Sequence, residues 1–254
     1  MTTTIDLNAD MGESFGAWSI GDGVDADIMA LISSANIAAG FHAGDPGTMR
    51  TTLQLAARHG VGVGVHPGFR DLVGFGRRAI AAPPEELVND ALYQLGALRE
   101  LAHLEDLTVQ HFKLHGALFM HAAKDSDFAG LLCDGLARVA PELSIYCLAG
   151  SALDEAAMSQ GLPRVHEFYA DRDYNDEGSI VFVRKVQLLD PEKVAKKVLR
   201  ACQQGMVETV TGKTVEVAFQ SVCIHSDTPG ALALVKAVRH TLDGAGIKIA
   251  PPKQ

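Results

Sequence analysis

The sequence predicts an α/β fold in which strands and helices alternate about seven times, with a parallel sheet inside and helices outside. Three observations carry that expectation. Short apolar runs of strand length recur between longer stretches of helical period. Helix ends are marked, twice by an Asp-Pro opening with a Gly stop, at Asp45-Pro46 to Gly60 and at Asp190-Pro191 to Gly205. Small residues are abundant, with 25 Gly in 254 residues, which suits close helix–sheet packing and tight βα turns. A chain of this length fits one α/β barrel or two smaller domains. It has no Gly/Ser or Pro linker and no break in composition, so a single domain over residues 1–254 is expected.

In chain order, "TTIDLNAD" (3–10) reads as a strand, "DADIMALISSA" (25–35) as a short helix and "ANIAAGFH" (35–42) as a second strand. The Asp45-capped helix follows, then the Gly-alternating strand "VGVGVH" (61–66) and a long amphipathic helix opened by Pro (83–104). "VQHFKLH" (109–115) is a strand, followed by helices to about Ala140. "LSIYCLAG" (143–150) is a strand, and Ser151 caps the helix after it. "RVHEFYAD" (164–171), the Asp190 helix, "SVCIHSD" (221–227) and a last helix (228–246) complete the alternation. "VETVTGKTVEVAF" (207–219) alternates instead like a β-hairpin, with its turn at Thr211–Lys213, and is expected to be a small insertion. No phosphate-binding G-x-x-x-x-G-K-[ST] or dinucleotide G-x-G-x-x-G motif is present.

The formal net charge of -9 argues against nucleic acid or anionic membrane as a main partner. It leaves room for a small acidic substrate held by local Arg and Lys. The four cysteines, Cys133, Cys147, Cys202 and Cys223, form no C-x-x-C pair and read as buried free thiols of a reducing compartment. "MTTTIDLNAD" has neither the basic nor the apolar region of a signal peptide, and no apolar run reaches membrane-spanning length. A cytoplasmic protein is expected.

The polar residues gather where the strands end. Four apolar runs finish on histidine, at His42, His66, His115 and His225. The first strand leads into Asn8, Asp10 and Glu13, and another into Glu167, Asp171 and Arg172. In a barrel these ends share one mouth, and in an open doubly wound sheet they share one crevice. Burying that many imidazoles and carboxylates together is unfavourable unless they pair or bind something. Lys113 lies two residues before His115, so both line the interior or neither does. Asp45 and Asp227 each have two readings, helix cap or mouth residue. The long loop "HPGFRDLVGFGRRAI", with Arg70, Arg77 and Arg78, is a candidate lid, and Arg172 and Arg184 stand in a second Arg-bearing loop. His59, His103, His111, His121, His166 and His240 read as structural or solvated.

Six motifs in order, "DLNADMGESFGAW", "ANIAAGFHAGDP", "HPGFRDLVGFGRR", "KLHGALF", "EFYADRDY" and "IHSDTPGA", resemble the LamB/YcsF family from Ile5 to Gly230. Ala39 stands where that family often has Cys, which removes one tempting nucleophile. The resemblance implies a distorted TIM-like β/α barrel, similar to glycoside hydrolase and deacetylase barrels. It also implies ATP-dependent opening of 5-oxoproline to L-glutamate, with ATP as co-substrate and two partner subunits, B and C. For that chemistry Asp10, Glu13, His42, His66, His115, Glu167 and His225 are the expected acid/base groups. Asn8, Asp45, Arg77, Lys113, Arg172, Arg184 and Asp227 are the expected substrate-binding groups. A metal-dependent deacetylase or amidohydrolase is the alternative, its divalent ion held by Asp10, His42 and His66. A non-catalytic substrate-binding subunit is a third.

Overall fold

The computed structural model describes residues 4–252. Thr3, expected to open the first strand, and the two ends of the expected domain lie outside the described residues. The elements are β1 (Thr4–Met11), α1 (Asp25–Met29), β2 (Ser34–Ala38), α2 (Pro46–His59), β3 (Gly62–His66), α3 (Pro84–His103) and β4 (Val109–Phe112). Then come α4 (Gly116–Ala122), α5 (Ser126–Val139), β5 (Ser144–Cys147), α6 (Ala152–Ser159), β6 (Arg164–Tyr169) and α7 (Pro191–Gln204). The chain continues through β7 (Met206–Glu208), β8 (Thr214–Glu216), β9 (Ser221–Cys223), α8 (Ala231–Gly244) and β10 (Lys248–Ile249).

Strands β1 to β6 and β9 pair side by side, all parallel, and β9 pairs back onto β1. The sheet is therefore a closed barrel of 7 parallel strands inside a layer of helices. β10 extends the start of β1, and β7–β8 is the expected antiparallel hairpin, inserted between α7 and β9. The helix caps are those the sequence predicts. Asp45 accepts from Gly47 N and Thr48 N, Asp190 from Glu192 N and Lys193 N, and Ser151 from Asp154 N. Gly60 and Gly205 end their helices at φ 65 and 67, a conformation that a side chain would strain.

Two expectations are corrected. The helix expected over 25–35 stops at Met29, and Ser33 and Ser34 are drawn into the barrel because both hydroxyls donate to the buried Asp6 carboxylate, each at 2.7 Å. Of the four histidines expected to end strands, only His66 does. β2, β4 and β9 leave the sheet at Ala38, Phe112 and Cys223, so His42, His115 and His225 stand in the βα turns beyond.

On β1 the residues Ile5, Leu7, Ala9 and Met11 are buried apolar, and Asp6, Asn8 and Asp10 alternate with them into the barrel interior. The interior is a hydrogen-bonded polar column. At its base Asp6 takes hydroxyl donors from Ser33, Ser34, Tyr146 and Ser221. Above it, Asn36 Nδ2 donates to Asn8 Oδ1 at 2.7 Å and to Asp10 Oδ1 at 2.8 Å, while His111 Nε2 meets Asn36 Oδ1 at 2.7 Å. Asn8 donates its own amide to Glu167, at 2.9 Å, and to Ser221, at 2.6 Å. Each of these buried polar groups is thus satisfied by side chains reaching in from other parts of the barrel, which is what makes such an interior tolerable.

Candidate active site at the barrel mouth

At the top of this column Lys113 is fully buried. Its Nζ lies 2.7 Å from Asp10 Oδ1, 3.3 Å from Glu167 Oε1 and 3.0 Å from Cys223 Sγ. Burial disfavours its charge, but Asp10, Cys223 and Glu167 outweigh that and push its pKa well up, so it is an ammonium. Burial would likewise raise Asp10, yet His66, Lys113 and His225 hold its carboxyl well below the usual range. Glu167, at the longer distance from Lys113, is raised by burial. Lys113 and His115 are both buried, although both lie beyond the end of β4.

Three histidines crowd beside Asp10. His66 Nδ1 bonds the Lys113 carbonyl at 2.8 Å, and His115 Nε2 bonds the Phe75 carbonyl at 2.8 Å. His115 Nδ1 and His66 Nε2 are 3.0 Å apart. His42 stacks flat on His115, with centroids 3.8 Å apart and planes at 6°. It reaches Glu13 Oε1 through Nε2 at 3.2 Å. Burial, then the neighbouring His66, lowers His42, and burial with His42 and His66 lowers His115, so both stay neutral near pH 7. Burial, with Asp227 and Asp10 nearby, pushes Glu13 well up. Glu13 Oε2 and His42 Nδ1 are the two buried side-chain atoms without a hydrogen-bond partner among the described residues.

On the far side of the mouth His225 Nδ1 bonds Asp171 Oδ1 at 2.9 Å. A carboxylate only accepts, so Nδ1 carries a proton, and Nε2 lies 3.6 Å from Asp10 Oδ2. Asp171 also takes Thr228 Oγ1 at 2.6 Å and Arg172 Nη1 at 2.9 Å. Burial opposes its ionisation, but His225 and Arg172 outweigh that and hold its carboxyl below the ordinary value. Asp10, His66, His115, Arg172 and His225 line a narrow funnel of about 30 Å³, open to solvent at its outer end and walled by Phe119, Tyr169 and Ile180.

The other expected site residues are placed differently. Arg77 is gripped by Asp227 through two bonds, at 2.7 and 2.9 Å, and donates to the Arg184 carbonyl. The loop carrying Arg77 thus reaches across the mouth, as expected, but each of that pair neutralises the other. The Arg184 side chain is exposed outside. Asp45 lies away from the funnel and caps α2, also accepting from Gly16 N at 2.9 Å. Asn8 sits one layer below the mouth, its amide already used. The expected ion-binding set of Asp10, His42 and His66 does not form one cluster: His42 and His66 gather with Glu13 and His115, while Asp10 gathers with Cys223 and His225.

Sequence reasoning assigned no role to Asp171, Cys223, Asn36 or the Phe75 carbonyl. Asp171 had been placed at the mouth by its strand end, and Asn36 had a signal too, a polar residue in the middle of the buried strand β2. The Phe75 carbonyl had none, since a backbone group leaves no mark in the sequence.

The LamB/YcsF family model matches residues 5–254. The chain is 63% identical over 251 residues to 5-oxoprolinase A-subunit 1 of Pseudomonas aeruginosa, covering 99% of this chain and 100% of that one. It is 57% identical over 249 residues to 5-oxoprolinase A-subunit 1 of Pseudomonas putida, covering 98% and 99%. The solved structure of a lactam utilization protein from Thermus thermophilus superposes with a TM-score of 0.90 at 41% identity, over 97% of this chain and 99% of that one. A putative cellobiose-phosphate cleavage protein from Enterococcus faecalis shares the fold alone, with a TM-score of 0.58 at 13% identity over 98% and 97%. With the model matched along nearly the whole length and these relatives more than half identical from end to end, the chain belongs to the LamB/YcsF family.

Proposed function

We propose that this chain is the A component of an ATP-dependent 5-oxoprolinase, opening the lactam of 5-oxoproline to L-glutamate. The observation that carries this is end-to-end identity of 63% to a relative named as a 5-oxoprolinase A-subunit. The lactam carbonyl is a poor electrophile because nitrogen donates into it. Phosphorylating its oxygen with ATP makes the carbon electrophilic enough for water to add; the ring C–N bond then breaks as its nitrogen takes a proton, and a second water hydrolyses the resulting acyl phosphate to glutamate and phosphate. The chain carries no phosphate-loop motif, so nucleotide is held at least in part by the partner subunits, B and C. The free thiols and the use of ATP fit the cytoplasm.

In this reading the substrate docks at the outer end of the funnel, which must widen to admit it, and its carboxylate meets Arg172, whose guanidinium lines the wall beside Asp171. His225, oriented by Asp171, takes the proton of the attacking water through Nε2. Lys113 keeps Asp10 ionised, and Asp10 stabilises the imidazolium that His225 becomes. Phe119, Tyr169 and Ile180 exclude bulk water.

The test is glutamate release by the chain with and without ATP and the two partner subunits. Turnover is expected only with all of them present. His225→Ala should lower kcat by about 10²–10⁴-fold, the usual magnitude of general-base catalysis, with Asp171→Asn acting in the same direction. Near wild-type turnover in both His225→Ala and Asp10→Ala would overturn the assignments.

A further inference from the structure

The hydrogen-bond pattern at the mouth gathers side-chain atoms that can each offer a lone pair to one point. A carbonyl can only accept, so His66 carries its hydrogen on Nδ1, bonded to the Lys113 carbonyl at 2.8 Å. For the same reason His115 carries its hydrogen on Nε2, bonded to the Phe75 carbonyl at 2.8 Å. The two remaining nitrogens face each other at 3.0 Å, and in neutral rings both carry lone pairs. Their other near neighbours are carboxyl oxygens, which only accept when ionised: Glu13 Oε1 is 3.4 Å from His115 Nδ1, and Asp10 Oδ2 is 3.2 Å from His66 Nε2. Lone pairs at these distances repel unless a proton or a metal cation lies among them.

The surrounding charge points the same way. Asp10 and Glu167 share Lys113, Asp227 has Arg77 and Asp171 has Arg172. Glu13 has no Lys or Arg partner among the described residues, and its Oε2 is buried without a hydrogen bond.

We propose that His66 Nε2, His115 Nδ1 and the Glu13 carboxylate bind one divalent transition-metal ion of the zinc class, beside Asp10, with a coordination position left open toward the funnel. Four-coordinate bonds of about 2.0–2.1 Å place neighbouring ligand atoms about 3.3 Å apart, close to the observed 3.0 and 3.4 Å. The rings of His66 and His115 stand at 90°, so their in-plane lone pairs can converge. His42 is excluded as a ligand by its parallel stack at 6° on His115: an ion in the plane of one ring lies well out of the plane of the other. The two carbonyls that fix the tautomers are the orienting partners that metal-bound histidines need. The ion would polarise a carbonyl or bound water. This deepens the proposed lactam hydrolysis and rests on the same mouth.

The test is metal content, independent of turnover. The full-length chain is stripped with chelator, incubated with Zn²⁺, Co²⁺ or Mn²⁺, desalted and analysed by mass spectrometry. About one ion per chain is expected, with a Co²⁺ visible spectrum of the low-symmetry type and a higher Tm in the loaded form. His66→Gln and His115→Gln should each weaken binding at least about tenfold, while His42→Gln retains it. Circular dichroism of each variant separates loss of the site from loss of the fold. A folded wild-type chain that takes up none of the three ions overturns the proposal and leaves a shared proton between the imidazoles. So does equal binding in His66→Gln and His115→Gln. Glutamate release by a metal-free complex would overturn the ion and spare the oxoprolinase reading; a loaded chain that never turns over the lactam with its partners would do the reverse.

Discussion

Asp45 shows how one carboxylate can look catalytic and be architectural. It stands three residues after His42, but it accepts from Gly16 N, Gly47 N and Thr48 N, and it is these bonds, that to Gly16 first, that lower its pKa to about 2 from 3.8. It therefore ties the β1–α1 loop to the start of α2. Asp45→Ala should cost about 0.5–2 kcal/mol at neutral pH, the range of N-cap losses. Because the folded pKa lies below the ordinary one, the ionised cap contributes fully above the ordinary value and its contribution fades as pH falls toward about 2. The Tm difference between wild type and variant should shrink over that window; a difference that persists at the acid end would mean the side chain acts by packing. Lys113 is the opposite case. Its spacing from His115 meant only that both residues line the interior or neither does, and its partners come from β1, β6 and β9, so no local pattern could name them.

Elements were the most legible scale, because caps, Gly stops and apolar period are local. The Asp-Pro openings of α2 and α7 needed no tertiary information. The strand ends were less legible, since an apolar residue just past a strand looks like part of it. The glycines of β3 carry a tertiary message instead. A Cβ on Gly64 would lie 2.0 Å from the His111 ring, which fills the barrel from the neighbouring strand. Gly64→Ala should therefore destabilise by about 1–3 kcal/mol or more, as overpacking does. In a His111→Ala background the same substitution should be close to neutral, and a double-mutant cycle by urea unfolding reads that coupling. Additive penalties would show that the ring is not what Gly64 makes room for.

At the scale of the molecule, the seven-fold alternation predicts parallel strands, and only the pairing of β9 with β1 distinguishes a closed barrel from an open sheet. That pairing joins Asn8 to Ser221 across 213 positions, which no periodicity reveals; the family resemblance supplied it. The mouth is rimmed by apolar side chains, Trp18, Ile20, Leu72 and Val73, around a second cavity of about 240 Å³. Trp18 is the sole tryptophan and is 72% exposed. Its emission should be that of a solvated indole, quenched by acrylamide almost as readily as free indole; a blue-shifted, protected signal would mean that the rim folds inward. The closure of the barrel has a temporal consequence as well. β1 is flanked by β2, β9 and β10, and two of those neighbours lie near the other end of the described chain. As the polypeptide leaves the ribosome, Asp6, Asn8 and Asp10 must wait for Ser221 and its flanking residues to emerge, so the site cannot be assembled piecemeal and a nascent or prematurely ended chain has no partly working form to misuse its substrate.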